Sequence, residues 1–199
     1  MISKALNLIV AQLNAYIPPT LPEDPAEVVL GNIALNEASD QVEIQEKIVA
    51  SLVNIEEESA LKNITNFQKH STGVKYIHQP VFLNLYILFA AHYPKSYEKA
   101  LMRLSAVIRF FQHKKTFDFS SSPSLPPLTD PDDSELSISM DLFTMTFEQI
   151  NHLWGTLGGK QMPFVMYKGR LVKLQDRKVM KEAPLIEEIQ NNVHSVMPN

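Results

Sequence analysis

Apolar residues at Ile2, Leu6, Ile9, Leu13 and Tyr16 recur at intervals of three and four, with Lys4, Asn7, Gln12 and Asn14 between them. That spacing predicts an amphipathic helix over residues 2 to 16. The next patterns are different. Glu27 to Leu35 is short and β-branched at Val28, Val29 and Ile33, which predicts a strand. Lys47 to Glu57 is apolar on both sides through Val53 and predicts a strand in a central position. Val81, Leu83, Leu85, Ile87 and Phe89 alternate with Phe82, Asn84, Tyr86 and Leu88, a further strand covered on both faces and stopped by Tyr93-Pro94. Tyr97, Leu101, Leu104, Ile108 and Phe111 return to helical spacing, widened by Met102, Val107 and Phe110. They predict a long, well-buried helix whose end at His113, Lys114 and Lys115 suits the negative pole of its dipole.

In the second half, Leu136, Ile138, Met140 and Leu142 alternate with Ser137, Ser139 and Asp141, a half-exposed strand. Thr146 and Gln149 form a capping box ahead of Phe147, Ile150, Trp154 and Leu157 at helical spacing, and Gly158 supplies a left-handed stop. Phe164 to Leu174 is the last long strand. Prolines mark the joints: Pro18, Pro19, Pro22 and Pro25 make Ile17 to Pro25 a stiff linker, and Pro123, Pro126, Pro127 and Pro131 lie in a long loop from Phe119 to Ser134. The stretch after Glu58 reads as a solvated loop to about Gln79. The order α-β-β-β-α-β-α-β predicts an α+β fold, a mixed or antiparallel sheet of about five strands packed by two to three helices. It divides the chain into a domain over 1–174 and a C-terminal arm over 175–199. Val179, Met180, Leu185, Ile186, Ile189 and Val193 make that arm a candidate for strand addition, the alternative being a helix folded back on the domain.

Composition narrows the function classes. With 45% hydrophobic and 20% charged residues over 199 positions, the bulk of the chain can bury a core. A net charge of -4 argues against a nucleic-acid surface. The absence of cysteine excludes disulfides, thiolate metal sites and thiol catalysis. Met1 to Tyr16 lacks the architecture of a signal peptide, and the apolar run Val81 to Ala91 is about half the length of a membrane span.

The motifs that could carry chemistry fail on spacing. Gly155-Thr156-Leu157-Gly158-Gly159-Lys160 has too few residues between its glycines for a phosphate loop, places Gln161 where a magnesium-binding hydroxyl is needed, and follows a helix instead of preceding one. His70, His78, His92, His113, His152 and His194 show no metal-ligand spacing. The acidic run Asp130, Asp132, Asp133 and Glu135 lacks the glycine and distal Glu of a calcium loop, and Asn63-Ile64-Thr65 is a formal sequon without a secretory signal. Glu56, Glu57 and Glu58 could pair for acid–base work, but neighbouring residues of a strand end face opposite ways. No catalytic residue, cofactor site or metal site is assigned, and the chain is expected not to be an enzyme. A hydrolase would need Glu56 or Glu58 beside a histidine in a deep pocket.

Four segments in order carry a resemblance. They are Met1-Ile2-Ser3-Lys4-Ala5-Leu6, then Ile48 to Glu58 (IVASLVNIEEE), Pro80 to Phe89 (PVFLNLYILF), and Phe147 to Lys160 (FEQINHLWGTLGGK). Together they resemble the caps of extracellular contractile injection systems of the antifeeding-prophage and Photorhabdus virulence cassette type, over Met1 to about Leu174. The resemblance implies a phage tail-terminator-like fold and a non-enzymatic structural cap: a homo-oligomeric, hexameric ring that closes the inner tube and contacts the last sheath ring. The expected partners are therefore the inner tube protein, the sheath protein and a second cap paralogue, with no nucleic acid and no membrane span. An adaptor recruiting another cap, anchoring or cargo protein is the alternative. Assembly is expected in the cytoplasm, with the cap leaving the cell as part of a released particle. The candidate interface residues are Trp154, Gly155, Gly158, Gly159 and Lys160 at the end of the last helix, with Leu185, Ile186, Ile189 and Val193 in the arm.

Overall fold

The computed structural model describes residues 2–17, 27–35, 44–58, 67–70, 73–77, 81–118, 137–174 and 179–183. The proline linker beyond Ile17, the loop Phe119 to Ser134 with its acidic run, the sequon at Asn63, and the arm residues Leu185, Ile186, Ile189 and Val193 lie outside them. Contacts divide the chain into two units, residues 1–59 with 81–174, and residues 60–80 with 175–199.

The first unit is a six-stranded mixed sheet with three helices. In chain order the elements begin with α1 (Ile2–Tyr16), β1 (Val28–Leu30) and β2 (Lys47–Glu57) of the first unit, followed by β3 (Phe67–His70) and β4 (Gly73–Ile77) of the second. The first unit resumes with β5 (Val81–His92), α2 (Tyr97–His113), β6 (Thr116–Asp118), β7 (Ser137–Leu142), α3 (Phe147–Thr156) and β8 (Phe164–Leu174). The strand order is β1-β2-β5-β8-β7-β6. Only β1 and β2 run parallel; the other pairs are antiparallel. The strand β6, absent from the sequence reading, closes one edge. The second unit contains β3, β4 and β9 (Val179–Ala183) as an antiparallel sheet in that order.

Two expectations are corrected, the loop after Glu58 and the strand over Glu27 to Leu35. The stretch read as a solvated loop holds the hairpin of β3 and β4, and the arm contributes a strand, β9, to β4 of the same chain. The strand expected over Glu27 to Leu35 is only β1 followed by a single 3-10 turn, Ile33–Leu35. Side-chain chemistry turns the chain there. Ser51 Oγ donates to Gly31 O and accepts from Ile33 N, while Asn32 Oδ1 accepts from Ala34 N.

The period-two alternation of the strands separates two cores. Ile48, Ala50, Leu85, Ile87, Phe89, Ile138, Met140, Tyr167 and Leu171 face α1 and α2. Val49, Leu88, Ala90 and Met166 face the other way, toward Trp154 of α3. The first face is aromatic: Phe111 lies 4.3 Å from Tyr167, 5.4 Å from Phe89 and 5.1 Å from Phe110, ring centre to ring centre. On the same face β7 crowds β8 at Gly169, where a Cβ would approach Ile138 Cδ1 to 2.9 Å. β2, expected to be central, stands second from the edge, and only its first half is buried. Beyond Leu52 its register shifts against β5, and Asn54 to Glu57 are exposed.

Asn14, which interrupts the apolar run of α1, covers the outer strand. Its Oδ1 accepts from the backbone of Glu27 and Val28 at 2.9 and 2.8 Å, and its Nδ2 donates to Val28 O at 2.8 Å. Those bonds occupy backbone groups of an edge strand that would otherwise be open to pairing. Beside it, buried Glu27 accepts from the Tyr93 hydroxyl and forms an ion pair with Arg103 Nε at 3.0 Å. Burial, and after it the bond to Glu27, raises the Tyr93 pKa far above its ordinary value.

Candidate interface surfaces

The end of α3 is built as its sequence indicates. Thr146 Oγ1 accepts from Gln149 N, and the Gln149 side chain accepts from Thr146 N at 3.0 Å. At the other end Gly158 and Gly159 take φ of 103° and 81°, and Gly159 N donates to Trp154 O at 2.7 Å. That bond reaches back across the last turn and satisfies a carbonyl the helix leaves open. Gly155, Gly158, Gly159 and Lys160 are exposed, and a Cβ at any of the three glycines would meet nothing within 4 Å. Trp154 is not exposed with them. It is 4% accessible, packs edge-on to Phe164 with ring centres 5.5 Å apart, and its Nε1 has no hydrogen-bond partner among the described residues. Of the five predicted interface residues that are described, four come together on one exposed turn and the fifth, Trp154, lies beneath it in the core.

A surface missed by the sequence reading lies next to that turn. The stripe expected to bury α2 is rotated in part toward solvent: Tyr97, Leu101, Met102 and Ile108 are exposed, while Ala100, Leu104, Val107, Phe110 and Phe111 are buried. Ser96 caps the helix by accepting from Lys99 N, and the preceding turn sets Tyr97 at its start. Tyr97, Leu101 and Leu104 form one wall of an open cleft of about 480 Å³; Gln161, Met162, Pro163 and Phe164, which lead from the glycine turn into β8, form the other. Ala91 N donates to Pro163 O at 2.9 Å and anchors that second wall to the sheet. Among the described residues no carboxylate or imidazole lines the cleft. It is a place for apolar contact, not for proton transfer.

The third surface is polar. Past the short α3, the sheet presents Glu56, Tyr86, Lys168, Arg170 and Asp141. The Tyr86 hydroxyl donates to Glu56 at 2.8 Å, and this bond, more than burial, raises its pKa. Asn84 Nδ2 donates to Glu58 at 3.0 Å, Arg170 pairs with Asp141 at 2.7 Å, and the Lys168 ammonium lies 6.0 Å from the centre of the Tyr86 ring. Glu56 and Glu58 thus meet a tyrosine and an asparagine, which hold them as hydrogen-bond acceptors. Among the described residues no group of three or more His, Asp or Glu side chains could hold a metal ion, and no helix is long and apolar enough to cross a membrane.

A family model for the Pvc16 N-terminal domain matches residues 5–188. The fold is similar to that of the sheath/tube terminator of the extracellular contractile injection system PVC in its extended state, with a TM-score of 0.62 and 12% identity, over 99% of this chain and 64% of that one. It is similar also to the tube-terminating cap of the anti-feeding prophage, with a TM-score of 0.63 and 13% identity, over 96% of this chain and 61% of that one. The chain therefore spans less than two thirds of the length of either. No curated protein matches its sequence. With the matched region running from α1 through β9, the chain belongs to the Pvc16 N-terminal domain family.

Proposed function

We propose that the chain is a structural cap, the terminator of a phage-tail-like contractile injection particle. The observation that carries this reading is the family match over 5–188, joined to a fold shared with a sheath/tube terminator and a tube-terminating cap. A terminator must bind an open ring end by surface complementarity and offer no equal face beyond it, or the tube would continue to grow. In this reading the chain forms a closed homo-oligomeric ring, taken as hexameric, with one side on the inner tube and its rim on the last sheath ring. The exposed turn Gly155 to Lys160 and the cleft beside it are the contact surfaces we assign to assembly, with Trp154 holding the turn from below. The arm residues Leu185, Ile186, Ile189 and Val193 are assigned to the same task. Assembly takes place in the cytoplasm, and the cap leaves with the released particle.

The test is to image particles produced without this protein. Tubes and sheaths of uncontrolled length are expected, and restoring the chain should return a single length. Particles of normal length in its absence would refute the cap. If length is normal but a second component is missing from the particle end, the chain is an adaptor instead.

A further inference from the structure

The proposed ring needs a contact between copies, and two apolar features of the first unit fit one. Phe147, the first residue of α3, is 92% exposed, and Leu142 at the end of β7 is 57% exposed. The second feature is the cleft of Tyr97, Leu101, Leu104, Met162 and Phe164. One is a protruding aromatic ring, the other a hollow wide enough for it, and neither is covered by another described part of this unit. They stand at opposite ends of α3. Ten helical residues span roughly 15 Å, so a chain cannot place its own Phe147 in its own cleft.

Charge at the two sites is complementary. Glu148 is exposed beside Phe147, whereas exposed Lys95 and Lys160 precede Tyr97 and Gln161 on the two walls of the cleft. Glu98, exposed beside Tyr97 and one turn before Leu101, is an acid at the same mouth, and the two bases exceed it by one charge. A second copy brings an acid to bases and an aromatic ring to a hollow at the same time.

We infer that Phe147 of one copy docks in the Tyr97–Leu101–Met162 cleft of the next. Because the two surfaces differ, the contact is heterologous: it propagates head to tail and closes into a ring when the rotation allows. The inference rests on the cap reading for its purpose but not for its test.

The test uses the full chain, with light scattering against concentration. Phe147→Ala removes the ring from a side chain that takes no part in the core, and Leu101→Glu places a charge in the cleft; where Leu101→Glu is unfolded by circular dichroism, Tyr97→Ala replaces it. Each variant alone should associate at least about thirty-fold more weakly than the unaltered chain, the effect of losing a central aromatic anchor. Mixed, they should form a pair that stops at two chains, since one intact knob and one intact cleft remain. Variants that assemble like the unaltered chain overturn the contact, and so does a mixture with no pair. An unaltered chain that stays monomeric to about 1 mM also overturns it. The particle-length experiment would still decide the cap reading in each of these cases.

Discussion

The two faces of the six-stranded sheet are covered in different ways. One carries two long helices and an unbroken aromatic cluster from Phe89 through Phe110, Phe111 and Phe117 to Tyr167. Among the described residues the other carries only α3, over a small core of Ile33, Ile44, Val49, Leu88, Ala90, Trp154 and Met166, and then opens into charged and hydroxyl-bearing side chains. The difference separates tasks. Stability is concentrated where burial is deep, so the opposite face and the ends of α3 are free to change with a partner. The largest effect should come from the first face. Phe89→Ala should lose about 3–5 kcal/mol in denaturant unfolding, through lost transfer energy and the cavity left among rings that cannot collapse. A loss below about 1 kcal/mol would show that the aromatic cluster does not dominate.

The same face should weaken in alkali. Burial pushes the Tyr167 hydroxyl up to about 12, and Tyr93 is raised in the same direction. The folded chain then keeps a proton that the unfolded chain releases near pH 10, so the stabilisation is complete below about pH 10 and is lost between about 10 and 12. On the order of 2–3 kcal/mol should disappear across that window through Tyr167, and Tyr167→Phe should flatten the decline. An equally steep decline in that variant would place the titration elsewhere.

What the amino-acid pattern discloses follows the same division. Local periodicity finds α1, β5, β7, β8 and α3 with its capping box, because each rests on neighbours within a few residues. It finds α2 but misjudges which side is buried. Apolar residues surround that helix, and periodicity then gives the element without its rotation. It misses β3, β4 and β9, since the pairing of Val74 with Ala183 joins segments that no local window contains. The cleft is invisible for the same reason: Leu101 and Met162 belong to elements far apart in the sequence. Trp154, named among the interface candidates, lies in the core, and its stripe alone does not separate the two places, since an indole suits both.

The structure makes Trp154 a smaller test of the second face. Its Nε1 has no acceptor among the described residues, so a phenyl ring in its place gives up no hydrogen bond made there. Trp154→Phe should therefore cost less than about 1.5 kcal/mol, the price of a partly filled site, well below Phe89→Ala. A loss equal to that of Phe89→Ala would mean that the two faces are equally committed to stability.

The smallest effect is expected where the second face is open. Arg170 and Asp141 meet at 2.7 Å, but their side chains are 61% and 39% accessible. An ion pair in that setting gains little, because water screens the charges and both side chains lose freedom in forming it. Arg170→Ala should change unfolding free energy by no more than about 0.5 kcal/mol and leave the circular dichroism spectrum unaltered. Since Arg170 stands on the strand that leads away from the cleft, it should also leave self-association as it is, unlike Phe147→Ala. A variant that is stable yet no longer joins tube or sheath ends would assign the polar half of this face to an outside partner. A variant destabilised by more than about 1.5 kcal/mol would show instead that the open half is part of the fold's own support.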